Sequence, residues 1–307
     1  MLEKPLISIV LPTYNRKGVI GRAINSVIRQ SYHKWELIII DDGSTDGTEE
    51  FIRTYGNSYN IKYVKQPNRG VSISRNNGIS LSKGEYIAFI DSDDEWIERK
   101  LEAQLDFFNL HTEIALVFSN ANLIKPDGII ASKPEIIKHD RDEIFTLESV
   151  FKDPYFGIPT VMIRKDIFDI VGKFDESLNT AEDIDLFLRI SLKKSIGYQH
   201  DKFANIYISG GSLTSSKGKE KGTISTFENN ILVIKRFIEE NKYICIENNC
   251  DINGAMFNLY CSYARALLSG GNMKQARDKI ISAHKYKKSI ELYYLFIKTF
   301  LKKQKPN

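Results

Sequence analysis

Four short apolar runs, "LISIVL", "WELIII", "IKYV" and "YIAFI", punctuate the first third of the chain and alternate with segments of helical periodicity such as "KGVIGRAINSVIRQ" and "STDGTEEFIRTY". Runs of four to six residues rich in β-branched and aromatic side chains suit buried strands. Strand alternating with helix predicts βαβ units and a mainly parallel sheet. Each run ends in a polar, turn-rich stretch: "PTYNR", "DDGSTDGT", "KQPNRG" and "DSDDEW". In such a sheet these four loops share the edge beyond the carboxyl ends of the strands, where α/β proteins bind their ligands. An edge that gathers this much polarity is a candidate site.

Past Leu110 the alternation loosens. "IALVFSNANLI" and "GIIASK", joined through "KPDG", predict a hairpin, and "IPTVMIRKDIF" predicts a strand leading into a helix. "LNTAEDIDLFLRISLKK" predicts a helix with acids in its first turn and a basic end, complementing the helix dipole at both ends. "GYQHDKFANIYISGGSLTSSKG" predicts a last strand and a Gly/Ser loop. From about Thr226 the pattern is wholly helical, and the pair of segments around "SGGN" suits a helical hairpin similar to one tetratricopeptide unit, too little for a solenoid.

Composition narrows the class. With 307 residues, 42% of them apolar, the chain can bury a sizeable core. Cys245, Cys250 and Cys261 form no CxxC pair, so neither a disulfide framework nor a zinc site is expected, and a reducing cytoplasm fits. The start, "MLEKPLISIVLPTYNR", lacks the layout of a signal peptide, and no apolar run approaches the ~18 residues of a membrane span. The net charge of +4 is too small to imply nucleic acid, but from Ile231 onward fourteen Lys or Arg face six Asp or Glu, so the tail is basic and the remainder slightly acidic.

The stretch "GEYIAFIDSDDEW" runs a core strand into three carboxylates. Asp91, Ser92 and Asp94 are good turn formers and caps, so the acids can simply open the helix that follows. Alternatively Asp91 and Asp93, two apart and on one side of an extended backbone, hold a hard divalent cation through oxygen ligands. These residues alone leave both readings open.

Taken together, "SIVLPTYNR", "IIIDDGSTDGT", "NRGVSISRNNGI", "GEYIAFIDSDDEW" and "AEDIDLFLRI", in this order and spacing, resemble the signatures of the family 2 glycosyltransferases of GT-A fold over roughly residues 5 to 212. The resemblance implies a Rossmann-like, mixed but mainly parallel sheet flanked by helices. It implies a catalytic domain over residues 1–225, with a nucleotide-sugar half to about 110 and an acceptor half beyond, and leaves 226–307 as an all-helical appendage. In similar enzymes a nucleotide-diphosphate sugar lies across the strand ends. By that resemblance Pro12, Thr13, Tyr14 and Asn15 surround base and ribose, Asp42 accepts the imide N–H of a uracil, Arg75 faces the diphosphate, Asp91 serves the ribose side and Asp93 holds Mn²⁺ or Mg²⁺. Asp94 is expected nearer the acceptor or the following helix. Asp183 is expected as the general base that deprotonates the attacking hydroxyl, with Glu182 as its structural neighbour.

The sequence departs from the family pattern where many relatives carry a His before a final Gly-Gly-Ser. Here that place is Ser209, which leaves water or the diphosphate to complete the metal's shell, and His200 is expected as a surface or core histidine. The QxxRW signature of polymerising synthases is missing, which favours addition of one sugar per encounter. The acceptor implied is a glycan or a lipid-linked glycan. The segment "SIELYYLFIKTFLKKQK" places Leu292, Leu295, Phe296, Phe300 and Leu301 on or near one helical face with lysines at its end, which predicts a helix packed on the catalytic domain or a partner subunit, or alternatively peripheral contact at the inner face of the cell membrane. Two rivals stand beside this reading: a nucleotidyltransferase, which calls for a Gly-rich, Lys/Arg-bearing loop where this chain has "PTYNR", and an inactive nucleotide-sugar-binding module, which has no need of both carboxylate clusters.

Overall fold

The computed structural model describes residues 4–56, 58–131, 140–152, 157–208 and 220–301. The chain divides into two compact units, Met1–Thr146 with Tyr155–Ile208, and Leu147–Pro154 with Ser209–Asn307. The division expected at 225 falls inside a helix of the second unit.

In chain order the elements are β1 (Ile7–Thr13), α1 (Ile20–Ile28), β2 (Trp35–Asp41), α2 (Thr48–Arg53), β3 (Ile61–Lys65), α3 (Val71–Leu81), β4 (Tyr86–Phe89), β5 (Glu95–Trp96), α4 (Lys100–Leu110), β6 (Ile114–Ile124) and β7 (Glu143–Phe145). After α5 (Leu147–Lys152), which groups with the second unit, come a single 3₁₀ turn (Ile158–Thr160), β8 (Val161–Arg164), α6 (Ile167–Val171), α7 (Glu182–Ser191) and β9 (Ser195–Tyr207).

The strands form one mixed sheet in the order β3-β2-β1-β4-β8-β6-β9-β5, with β7 also paired to β9. The first four are parallel, and β8 joins antiparallel between β4 and β6. Every residue of β1, β2 and β4 is buried, as a parallel strand covered by helices on both faces requires. Edge strand β3 is only partly buried and carries Lys62 and Lys65, charges that suit an edge. Registers Thr13↔Asp41 and Asp41↔Lys65 bring the carboxyl ends of β1, β2 and β3 level. The hairpin expected after "IALVFSNANLI" forms a turn closed by a bridge between Ile124 and Ile130; the residues from 132 lie outside those described.

Two packing details place the site. Helix α3 lies so close to β1 that a Cβ on Gly78 would stand 2.3 Å from Val10 Cγ1, so only glycine fits there. Beside the end of β4, three consecutive carbonyls each receive a side-chain donor. Trp96 Nε1 donates to Pro159 (2.7 Å), Gln104 Nε2 to Thr160 (2.7 Å) and Lys100 Nζ to Val161 (3.3 Å). Lys100 is fully buried over the Trp96 ring, and burial drives its pKa well down.

The second unit is helical: α5, α8 (Glu220–Glu240), α9 (Lys242–Glu247), α10 (Ile252–Gly270), α11 (Met273–His284) and α12 (Ile290–Leu301). Asp251 caps α10 by accepting from the Gly254 N–H, and Gly271, in the left-handed region at φ 88°, turns the chain into α11, giving the hairpin expected around "SGGN".

Candidate active site

The strand-end loops are bonded to one another in series. Asn15, left-handed at φ 52°, donates its N–H to Ser44 Oγ (2.8 Å) and accepts from the Thr45 N–H (2.8 Å), which locks the loop after β1 to the loop after β2. Pro12 and Thr13 are buried as the last residues of β1, while Tyr14 is half exposed beside them. The Thr13 hydroxyl is buried without a hydrogen-bond partner among the described residues.

Asp42 ties the second loop to the third. Its Oδ1 accepts from Gln66 Nε2 (2.7 Å) and the Arg69 N–H (2.9 Å), and its Oδ2 from the Gly70 N–H (2.8 Å), just where α3 begins. A carboxylate offers about four acceptor positions, of which these bonds use three.

Arg75, expected to face a diphosphate, is held here between two of the protein's own carboxylates. Its guanidinium is buried, donating through one Nη to Glu182 Oε1 (2.6 Å) and through the other to Asp91 Oδ1 (3.0 Å). Each Nη bonds one of the protein's own carboxylates, while the buried Nε has no hydrogen-bond partner among the described residues, so Arg75 bridges the two acidic clusters that the sequence keeps far apart.

Along "DSDDE" burial alternates: Asp91 and Asp93 are partly exposed, Ser92 and Asp94 buried. The four residues Asp91–Asp94 form a β-turn closed by the Asp94 N–H on the Asp91 carbonyl (3.1 Å), as the turn-forming reading expected, and the turn leaves Asp91 and Asp93 facing outward. Asp94, expected nearer the acceptor or the following helix, turns inward and accepts the Tyr207 N–H at the end of β9 (3.0 Å). Burial, then the Asp91 charge, raises the pKa of Asp93; the same causes, with Asp93 added, raise that of Asp94 well above its usual range. Arg22 was not singled out by any motif. It donates to the Asp93 carbonyl and stacks 3.4 Å from the centroid of the Tyr207 ring.

The second cluster is set by the entry into α7. Asn76 of α3 accepts the Phe174 N–H (3.0 Å) and donates to the Phe174 carbonyl (2.9 Å), and Ser72 donates to the Leu178 carbonyl (3.1 Å). The chain then turns through Ala181 at φ 66°, an unusual conformation for a residue with a side chain, and α7 starts at Glu182 and Asp183. Asp183 is partly exposed, and its Oδ1 accepts the Ile184 N–H (2.8 Å). Burial, with the Glu182 charge second, pushes its pKa up to about 7, against the pull of Ile184 and Arg75. A carboxylate poised there takes a proton efficiently near neutral pH.

The donor set at the strand end is oxygen only, as Mn²⁺ or Mg²⁺ prefers. Asp93 accepts no hydrogen bond from another side chain among the described residues, and the crowding of Asp91, Asp93 and Asp94 is the kind of strain a dication relieves. In that respect the residues fit a metal. No group of three or more His, Cys, Asp and Glu among the described residues forms a complete shell, and Ser209 lies outside them.

Glycosyl transferase family 2 matches residues 8–169. A Bacillus subtilis protein named for teichuronic acid biosynthesis, the glycosyltransferase TuaG, is 32% identical over 221 residues, 70% of this chain and 84% of that protein. This chain belongs to glycosyl transferase family 2. Another relative in the family, the Escherichia coli UDP-Glc:alpha-D-GlcNAc-diphosphoundecaprenol beta-1,3-glucosyltransferase WfgD, is 29% identical over 71% of this chain and 83% of its own length. Two longer Rickettsia glycosyltransferases, 34% and 33% identical, are matched over 35% of their length. The GT-A fold is shared with S. aureus TarS in complex with UDP-GlcNAc (TM-score 0.62, 18% identity, 96% of this chain and 89% of that one). It is shared too with the Pyrobaculum calidifontis mannosyltransferase PcManGT in complex with GDP-Man and Mn²⁺ (TM-score 0.64, 16% identity, 98% and 81%).

Proposed function

We propose that this protein is an inverting, metal-dependent glycosyltransferase that moves one sugar from a nucleotide-diphosphate sugar, with uridine as the base, to a hydroxyl of a glycan or lipid-linked acceptor in cell-surface polysaccharide synthesis. The observation that carries the reading is the placement of Asp183, partly exposed and with a pKa raised to about 7, on a helix start joined through Glu182 and Arg75 to the acidic end of β4. The names of TuaG and WfgD support the polysaccharide setting and the lipid-linked acceptor.

In this reading Asp183 accepts the proton of the acceptor hydroxyl as its oxygen bonds to the anomeric carbon. The bond from that carbon to the diphosphate oxygen breaks, and the nucleoside diphosphate leaves with the electron pair. Attack from the face opposite the leaving group inverts the anomeric centre. Asp93, with Asp91 beside it, would hold the Mn²⁺ or Mg²⁺, which when bound neutralises charge on the departing diphosphate. Tyr14, Asn15 and the remaining acceptor position of Asp42 serve the base and ribose. Arg75 acts as a positioning residue that keeps Glu182 and Asp183 in register with Asp91.

Three free cysteines suit a reducing cytoplasm. Both carboxylate clusters are intact, which favours an active enzyme over an idle binding module. Screening the purified chain against a panel of nucleotide sugars with Mn²⁺, by thermal shift and donor hydrolysis, tests the reading: one UDP-sugar should raise Tm and be hydrolysed. A chain indifferent to every nucleotide sugar would count against it.

A further inference from the structure

Helix α12 has two faces of different character. Leu292, Leu295 and Thr299 point inward, at 3, 4 and 2% exposure, against α10 and α11. On the opposite face Ile290, Tyr293, Tyr294, Ile297 and Phe300, at the three- and four-residue spacing of one helical stripe, are 87, 65, 59, 54 and 62% exposed. The sequence pattern placed Leu292, Leu295, Phe296, Phe300 and Leu301 together. The structure instead turns the first two inward, puts Phe300 on the outer stripe and leaves Phe296 at the border; the Leu301 side chain lies outside those described. A contiguous apolar stripe left open on a well-packed helix marks an interaction surface.

Charge identifies the partner. Lys285, Lys287 and Lys288 precede the helix, and Lys298, Lys302, Lys303 and Lys305 close and follow it. The one acid in this stretch, Glu291, is paired with Arg265 of α10 and so offers the lysines nothing. A second copy of the same helix would bring lysine against lysine, and the cores of protein interfaces are depleted in lysine. A surface of anionic lipid headgroups has the complementary charge. Each lysine near it gains about 1 kcal/mol, and tyrosines favour the boundary between headgroups and acyl chains. Twelve residues make a helix about 18 Å long, too short to span a bilayer. No helix among the described residues is long and apolar enough to cross a membrane.

We propose that α12 lies in the plane of an anionic membrane surface, with the Ile290–Phe300 stripe in the interface and Lys285, Lys287, Lys288 and Lys298 on the headgroups. This goes beyond the catalytic reading and does not depend on it.

Co-sedimentation of the full chain with vesicles tests it. Binding should be strong to phosphatidylcholine mixed with phosphatidylglycerol, weak to phosphatidylcholine alone, and reduced by salt. The triple substitution Ile290→Ser, Tyr293→Ser, Ile297→Ser changes only exposed positions and spares Phe300, which packs against Arg277, so circular dichroism melting should stay close to the parent, while affinity for the mixed vesicles falls about tenfold or more. Parent and variant binding equally, or neither binding, overturns the proposal. Loss of a dimer in the variant by light scattering, with no vesicle binding by the parent, overturns it in favour of a second copy of the chain.

Discussion

Arg75 and Glu182, 107 positions apart in the chain, form a buried ion pair at 2.6 Å, and the same guanidinium reaches Asp91 at 3.0 Å. Through this one side chain the end of β4 and the start of α7 are fixed to each other. The sequence places the two acidic clusters nearly a hundred residues apart, and this bridge brings them together.

Breaking the pair from either side should show in stability and in the pH profile together. Arg75→Met leaves two carboxylates without their counter-charge and should cost about 3–5 kcal/mol in urea unfolding. It also removes a charge that lowers the pKa of Asp183, so the midpoint at which turnover rises with pH should move up. Glu182→Gln removes a charge that raises it, so that midpoint should move down. Profiles that stay in place in both variants would contradict the electrostatic coupling.

Asp183→Asn keeps the shape and removes the base, so turnover should fall by about 10² or more while donor affinity stays nearly the same. Stability supplies an independent check. The folded-state pKa of Asp183, about 7, lies above the usual value of 3.8, so the folded protein holds the proton more tightly. Stability from that proton is full at low pH and is lost as pH rises from about 4 to about 7. The Asn variant has no such loss, so relative to the parent it should gain stability across that window. Parallel pH–stability curves would show that Asp183 is not held in a protonation-favouring environment.

For the metal, UDP should bind the parent far more tightly with Mn²⁺ than with excess chelator, and Asp93→Ala should abolish that difference while leaving Tm close to the parent. Isothermal titration with and without Mn²⁺ measures both. Metal-independent binding of equal strength would remove Asp93 from this role.

Much of this was legible because it rests on local signals. The strands from Ile7 to Phe89 follow from short β-branched runs, and the turn at Asp91–Asp94 follows from its turn-forming residues rather than from the extended backbone that the spacing of Asp91 and Asp93 also allowed. The partners of Arg75 and Asp94 were not legible. Whether a guanidinium meets a ligand or a carboxylate 107 residues away is set by the packing of α3 on the sheet, which no local pattern encodes. Arg22 escaped for the same reason: on α1 it looks like any exposed helix charge, and only the path of β9 brings Tyr207 beneath it. Lys100 reads as the polar start of an amphipathic helix, yet it is fully buried because Trp96 and the Val161 carbonyl close over it.

The close approach of α3 to β1 gives a purely steric prediction. Gly78→Ala puts a methyl group where Val10 already stands and should destabilise by about 1–3 kcal/mol, lowering Tm. Because α3 carries Arg75, activity at moderate temperature should fall along with it. Val10→Ala in the same chain should restore part of the loss, and a double variant no better than the single would mean that the strain lies elsewhere.

The most direct test of the central claim, a single displacement with Asp183 as base, is the anomeric configuration of the product, read from proton NMR coupling constants during transfer from an α-linked UDP-sugar. The account predicts a β-linked product from the first turnover. An α-linked product would mean that configuration is retained, and would contradict the single displacement proposed for this site.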